Sequence, residues 1–121
     1  MKTFLALGAI FAALGVVFGA FGAHALRSTL SPDDLATFET GVRYQMYHAL
    51  GLIAVAWATT QWESTTVTLA GWAFVVGILI FAGSLYLLVL SGQRWLGAIT
   101  PIGGVALIAG WILLAWSAWR A

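Results

Sequence analysis

Two histidines stand in otherwise apolar surroundings. His24 follows Gly19-Ala20-Phe21-Gly22-Ala23, and His48 closes the stretch Tyr44-Gln45-Met46-Tyr47-His48. Imidazole titrates near neutral pH and is a common metal ligand, so such a pair has three chemical uses. It could supply two axial ligands to a haem. With Gln45 and Tyr47 it could form a proton relay or hold a quinone head group. Or, together with Arg27, Arg43, Tyr44, Ser84, Tyr86 and Thr100, it could be a hydrogen-bond network that locks helix ends in register. Two imidazoles fall short of the three or four ligands of a zinc site. Asp33, Asp34 and Glu39 are close in sequence but belong to a polar link. With no cysteine, there is neither thiolate ligation nor thiol catalysis. No nucleophile–base–orienter set, phosphate loop or carboxylate pair lies within an apolar run, so neither catalysis nor a resident metal or cofactor is expected.

The elements that must carry these groups follow from composition. Of 121 residues, 62% are apolar and only 7% charged, against about 45–50% and about 25% in ordinary soluble domains. A small soluble fold could not hide this much apolar surface. The net charge of +1 offers no field for nucleic acid. The expected partner is the lipid bilayer.

A helix needs roughly 20 mostly apolar residues to cross the hydrocarbon. Four segments are read as spans, at about residues 3–26, 44–61, 67–90 and 99–119. Lys2 before an apolar run, with Ala23-His24-Ala25 further on, imitates a cleaved signal. Signal cores are only about 7–15 residues long, so the first run is read as a retained span. Between spans one and two, Ser31-Pro32-Asp33-Asp34 reads as a helix start, with a cap, an N1 proline and acids in the first turn. Leu35, Phe38 and Val42 form an apolar stripe, and Glu39 and Arg43 are spaced to pair. A short amphipathic helix at the interface is expected there, with Gly41 as the place where it could run into span two. Short links elsewhere demand antiparallel neighbours. The expected fold is an all-α, integral membrane, antiparallel four-helix bundle forming a single domain.

Lipid tails are as apolar as leucine, so contact between spans must come from small residues. Gly8, Ala12, Gly15, Gly19 and Gly22 make one smooth stripe on span one, and Gly103 and Gly110 repeat the idea on span four. These stripes are expected to pack within the bundle, with a homo-oligomer or membrane-protein partner as the alternative. Trp57, Trp62, Trp72, Trp116 and Trp119 all fall toward the end that holds both termini, where indoles favour headgroup depth.

At about 1.5 Å of rise per residue, His24 lies roughly 4–5 Å inside Arg27, and His48 roughly 7–8 Å inside Arg43. Ser84, Tyr86 and Thr100 approach the same surface from spans three and four. All four spans thus bring polar groups to one end, and the other end is left to tryptophan. Arg27, Arg43 and Arg94 stand at the polar end against Lys2 and Arg120 at the other. That balance favours cytoplasmic first and third links and termini outside.

The segments from Gly19 to Leu26 and from Phe38 to Leu50, with Gly83-Ser84-Leu85-Tyr86 and Thr100-Pro101-Ile102-Gly103-Gly104, resemble a family of small bacterial inner-membrane proteins of unknown function, the YgdD and YwdK type, which has a eukaryotic transmembrane branch. The resemblance covers essentially the whole chain. It implies a multi-pass protein of the bacterial inner (plasma) membrane and brings no catalytic residues with it. The expectation is a non-enzymatic protein concerned with membrane or envelope integrity or assembly. A small-ligand, quinone, haem or proton-handling site at His24 and His48 is the rival reading, and a subunit of an oligomeric channel or transporter is another.

Overall fold

The computed structural model describes residues 2–121. Four long helices make up almost all of it: α1 (Lys2–His24), α2 (Pro32–Gln61), α3 (Thr65–Ser91) and α4 (Thr100–Arg120), with a short 3-10 helix at Arg94–Ala98. No strand occurs among the described residues. The helices run alternately up and down. Trp62, at the end of α2, reaches Ser117 near the end of α4, and Arg94 before α4 reaches Asp34 at the start of α2.

Local chemistry sets the ends. Ser31 caps α2, its Oγ accepting from the Asp34 N–H at 3.1 Å, with Pro32 in the first turn. Such a cap is worth about 1 kcal/mol. Ser64 caps α3 in the same way, accepting from the Thr66 N–H. Gly92 ends α3 at φ +76, in the left-handed region that glycine enters without a Cβ penalty.

The expected short interfacial helix is not a separate element. Pro32 to Gln61 is one unbroken helix of 30 residues, about 45 Å long and so longer than the hydrocarbon is thick. Its early stripe turns inward. Phe38 is buried beside Leu88 and Val89, with Val42 and Leu30 packed against them. The stripe is therefore satisfied by neighbouring helices and not by the membrane plane. Gly41 does not break the helix, because its bare backbone receives the Tyr86 ring; a Cβ there would lie 2.7 Å from Tyr86 Cε1. Arg43 donates to Thr40 Oγ1 at 3.3 Å and not to Glu39.

Packing proceeds in chain order, α1 on α2, α2 on α3 and α3 on α4, with no comparable contact between α1 and α4 among the described residues. Phe74, Leu52, Val55 and Val67 are the largest fully buried side chains. The glycine stripe of α1 lies inside: Gly8 against Ala49, Gly15 against Met46, Gly19 against Val42 and Gly22 against Phe38. Ala12, between Gly8 and Gly15, is half-buried. Gly103 faces the Phe81 backbone, and Gly110 faces Phe74 and Ala70. Three helices are long and apolar enough to cross a membrane by themselves: α1, α3 and the stretch containing α4. The fourth, α2, falls short because Gln45, His48 and its terminal Thr59-Thr60-Gln61 dilute it.

Candidate functional site

The buried polar groups resolve into three separate ties and do not share the one end expected of them: Ser84 meets Thr100 at the start of α4, whereas Gln45 bonds Phe11 mid-way along α1 and His48 bonds Trp111 mid-way along α4. In the first, Tyr86 on α3 donates its hydroxyl to Gln45 Oε1 at 2.7 Å, and Gln45 Nε2 donates to the Phe11 carbonyl of α1 at 2.8 Å. One buried amide thus joins three helices. In the second, His48 on α2 lies against α4. Its Nδ1 is 2.7 Å from the Tyr44 carbonyl, and its Nε2 accepts from Trp111 Nε1 at 2.9 Å. An indole can only donate and a carbonyl can only accept, so this network assigns the proton to Nδ1. In the third, Ser84 Oγ and Thr100 Oγ1 are 2.6 Å apart, joining α3 to α4.

The side chains of the other expected members stay outside these ties. His24, Arg27, Arg43, Tyr44 and Tyr47 are exposed. Tyr44 stacks on His48 and meets the Phe81 ring at 4.8 Å, and Tyr47 packs beside Tyr44. Neither phenol hydroxyl has a hydrogen-bond partner among the described residues. The residues do not fit a bis-imidazole haem site. His48 has both ring nitrogens engaged, whereas His24 lies exposed at the end of α1. Among the described residues, no group of three His, Cys, Asp or Glu side chains is placed to hold a metal ion.

At the start of α2, Arg94 of the 3-10 helix makes a two-pronged ion pair with Asp34, at 2.8 and 3.1 Å. Hydrogen bonding to the guanidinium, with its charge, holds the Asp34 carboxyl below its ordinary range. The pair pins the 3-10 helix to the first turn of α2.

Two participants are not read from the sequence as hydrogen-bonding groups. Trp111 supplies the donor to His48, and Ser117 is a buried hydroxyl that accepts from Trp62 Nε1 at the far end. That end is therefore not left to unbonded indoles. Trp111 was legible in principle. It lies mid-way along the fourth apolar run, where an indole N–H has no water and must find a partner. Ser117 has no such signal, since a serine also serves as a small packing residue.

A family model for a protein of unknown function, DUF423, matches residues 18–104. The chain belongs to the DUF423 family. A membrane protein of the UPF0382 group from Staphylococcus haemolyticus is 47% identical, covering 99% of this chain and 98% of its own. The UPF0382 membrane protein YwdK of Bacillus subtilis is 49% identical over 94% of each. One from Staphylococcus aureus is 51% identical over 94% and 93%. No solved structure matches. This DUF423 member is thus a helical membrane protein with bacterial relatives, and the matched stretch contains all three polar ties except Phe11 and Trp111.

Proposed function

We propose that this DUF423 protein crosses the bacterial inner membrane four times and performs no catalysis, its polar side chains serving to hold the bundle in one packing. Its role in this reading is to support membrane or envelope integrity as an assembly element. One observation carries it: among the described residues no buried side-chain nitrogen or oxygen lacks a hydrogen-bond partner. Gln45, His48, Ser84 and Ser117 are buried, and each is bonded to another element. A site awaiting substrate usually keeps a polar group free to meet it.

The fourth crossing is supported by direction. Both α1 and α3 run the same way and join only through α2, so α2 must return across whatever thickness they traverse. The arginine balance supports termini outside, and a reporter fused to Ala121 tests this, with a cytoplasmic signal refuting it. Any homo-oligomer or membrane-protein partner would use the outer faces of α1 and α4, because the glycine stripes are already filled within the chain.

The functional reading is tested in a deletion strain scored for leakage of an envelope-impermeant dye. Complementation by His48→Gln, Tyr86→Phe and Thr100→Val should fall in step with each purified variant's thermal stability in detergent. A variant that keeps full stability yet fails to restore the barrier would overturn it.

A further inference from the structure

At the end of the molecule that holds the α2–α3 turn, a cleft of about 410 Å3 opens between that turn and the start of α1. Phe4, Trp62 and Trp72 line it, together with Glu63, Thr3 and Thr68. Phe4 and Trp72 meet edge to face at 5.3 Å. Of the chain's four acids, Glu63 alone lies at this end, since Asp33, Asp34 and Glu39 belong to the first turns of α2. Glu63 is exposed and forms no ion pair among the described residues. The hydroxyls of Thr3 and Thr68 likewise make no hydrogen bond among the described residues. A carboxylate beside aromatic rings is the chemistry that recognises an ammonium group, by charge and by attraction to the ring faces. The same end already shows that contact within the chain, with Arg120 5.5 Å from the Trp116 ring centre.

We propose that this cleft binds the head group of an ethanolamine phospholipid, its ammonium held by Glu63 between Trp62 and Trp72 and its phosphate accepting from the hydroxyls of Thr3 and Thr68. The bilayer is the source of the cation because of depth. The cleft lies at the ends of membrane-facing helices, among the indoles that favour the headgroup layer. A soluble amine would have no need of such a position. The inference rests on that membrane placement and not on the structural role proposed above.

The full-length protein, stripped of lipid in dodecyl maltoside, is titrated with dioleoyl phosphatidylethanolamine or dioleoyl phosphatidylglycerol, and retained lipid is counted by native mass spectrometry. Phosphatidylethanolamine should bind about tenfold more tightly, the sum of one partly screened ion pair and one cation–π contact. Glu63→Gln should abolish that preference, and Trp72→Leu should weaken it, while binding of phosphatidylglycerol stays unchanged. Thermal melting of both variants confirms the fold, Glu63 and Trp72 being exposed. Equal retention of the two lipids by the unaltered protein, or an undiminished preference in a folded Glu63→Gln variant, overturns the proposal. Neither result bears on dye leakage, so it fails independently of the assembly reading.

Discussion

Trp111 donates its indole N–H to His48 Nε2 across 2.9 Å, and this bond joins the second helix to the fourth. The two rings also lie with centroids 5.7 Å apart, and both meet Phe74, the largest fully buried side chain. A histidine in such a place invites a chemical role. Here its lone pair and its N–H are both used in holding helices. The imidazole acts as a two-sided linker, passing from its own helix's Tyr44 carbonyl to a donor on α4.

That assignment is visible spectroscopically. In nitrogen-15 spectra of the solubilised protein, His48 should show a protonated, pyrrole-like Nδ1 and an unprotonated Nε2. Trp111→Phe should free Nε2 and shift its resonance. A double-mutant cycle with His48→Ala should give a coupling of about 0.6 kcal/mol, within an upper range of about 1.7 kcal/mol. A coupling of zero would mean that the bond contributes nothing.

The glycines of α1 are not equivalent, and alanine substitution should rank them. A Cβ at Gly8 would lie 2.8 Å from the Ala49 carbonyl oxygen, a backbone atom that cannot swing aside. At Gly15 the obstacle is the flexible Met46 side chain, and at Gly19 the nearest atom is Val42 Cγ1 at 3.4 Å. Gly8→Ala should therefore cost about 1–3 kcal/mol in detergent unfolding, Gly15→Ala less, and Gly19→Ala little. Gly103→Ala, which meets the Phe81 backbone at Cα, belongs with Gly8.

Composition and run length were enough to locate the helices to within about two residues at every end except the start of α2. Capping chemistry at Ser31 marked even that end as a helix start. What it could not reveal was whether Leu35, Phe38 and Val42 face lipid or protein, because an apolar stripe is the same stripe in either setting. Site residues divide along a similar line. Gln45, His48, Ser84, Tyr86 and Thr100 were recognisable as polar groups at membrane depth, where each needs a partner. The partners themselves depend on helix rotation, which residue spacing does not specify. Depth alone groups His24 with them, and the end of α1 leaves it exposed.

The Asp34–Arg94 pair should make stability depend on pH in one direction. The folded-state carboxyl titrates lower than the unfolded one because Arg94 donates to it. Its stabilising contribution is therefore complete above the ordinary carboxylate range and is lost as pH falls below about 4, through the lowered value. Thermal unfolding followed from pH 6 downward should show the midpoint falling below about pH 4. Arg94→Gln should lower the midpoint at pH 6 and flatten that acid limb. A limb of unchanged steepness in the variant would assign the acid sensitivity elsewhere.

Gln45 offers the sharpest separation of bonding from packing. Its Oε1 accepts from Tyr86 and its Nε2 donates to Phe11, so one side chain spans α1, α2 and α3. Tyr86→Phe keeps the ring, which fills the space over Gly41 and touches Phe18 and Phe38, and removes only the donor. The cost should be about 1–2 kcal/mol, because a buried amide oxygen is left without its partner in an environment that offers no water. Gln45→Leu removes both bonds but leaves no unsatisfied amide; the Phe11 carbonyl still accepts within its own helix. Combining the two substitutions should therefore cost less than the sum of the separate costs, by roughly the worth of the Tyr86–Gln45 bond. Strict additivity in that cycle, measured by detergent unfolding, would show that the amide finds another donor when Tyr86 is silenced.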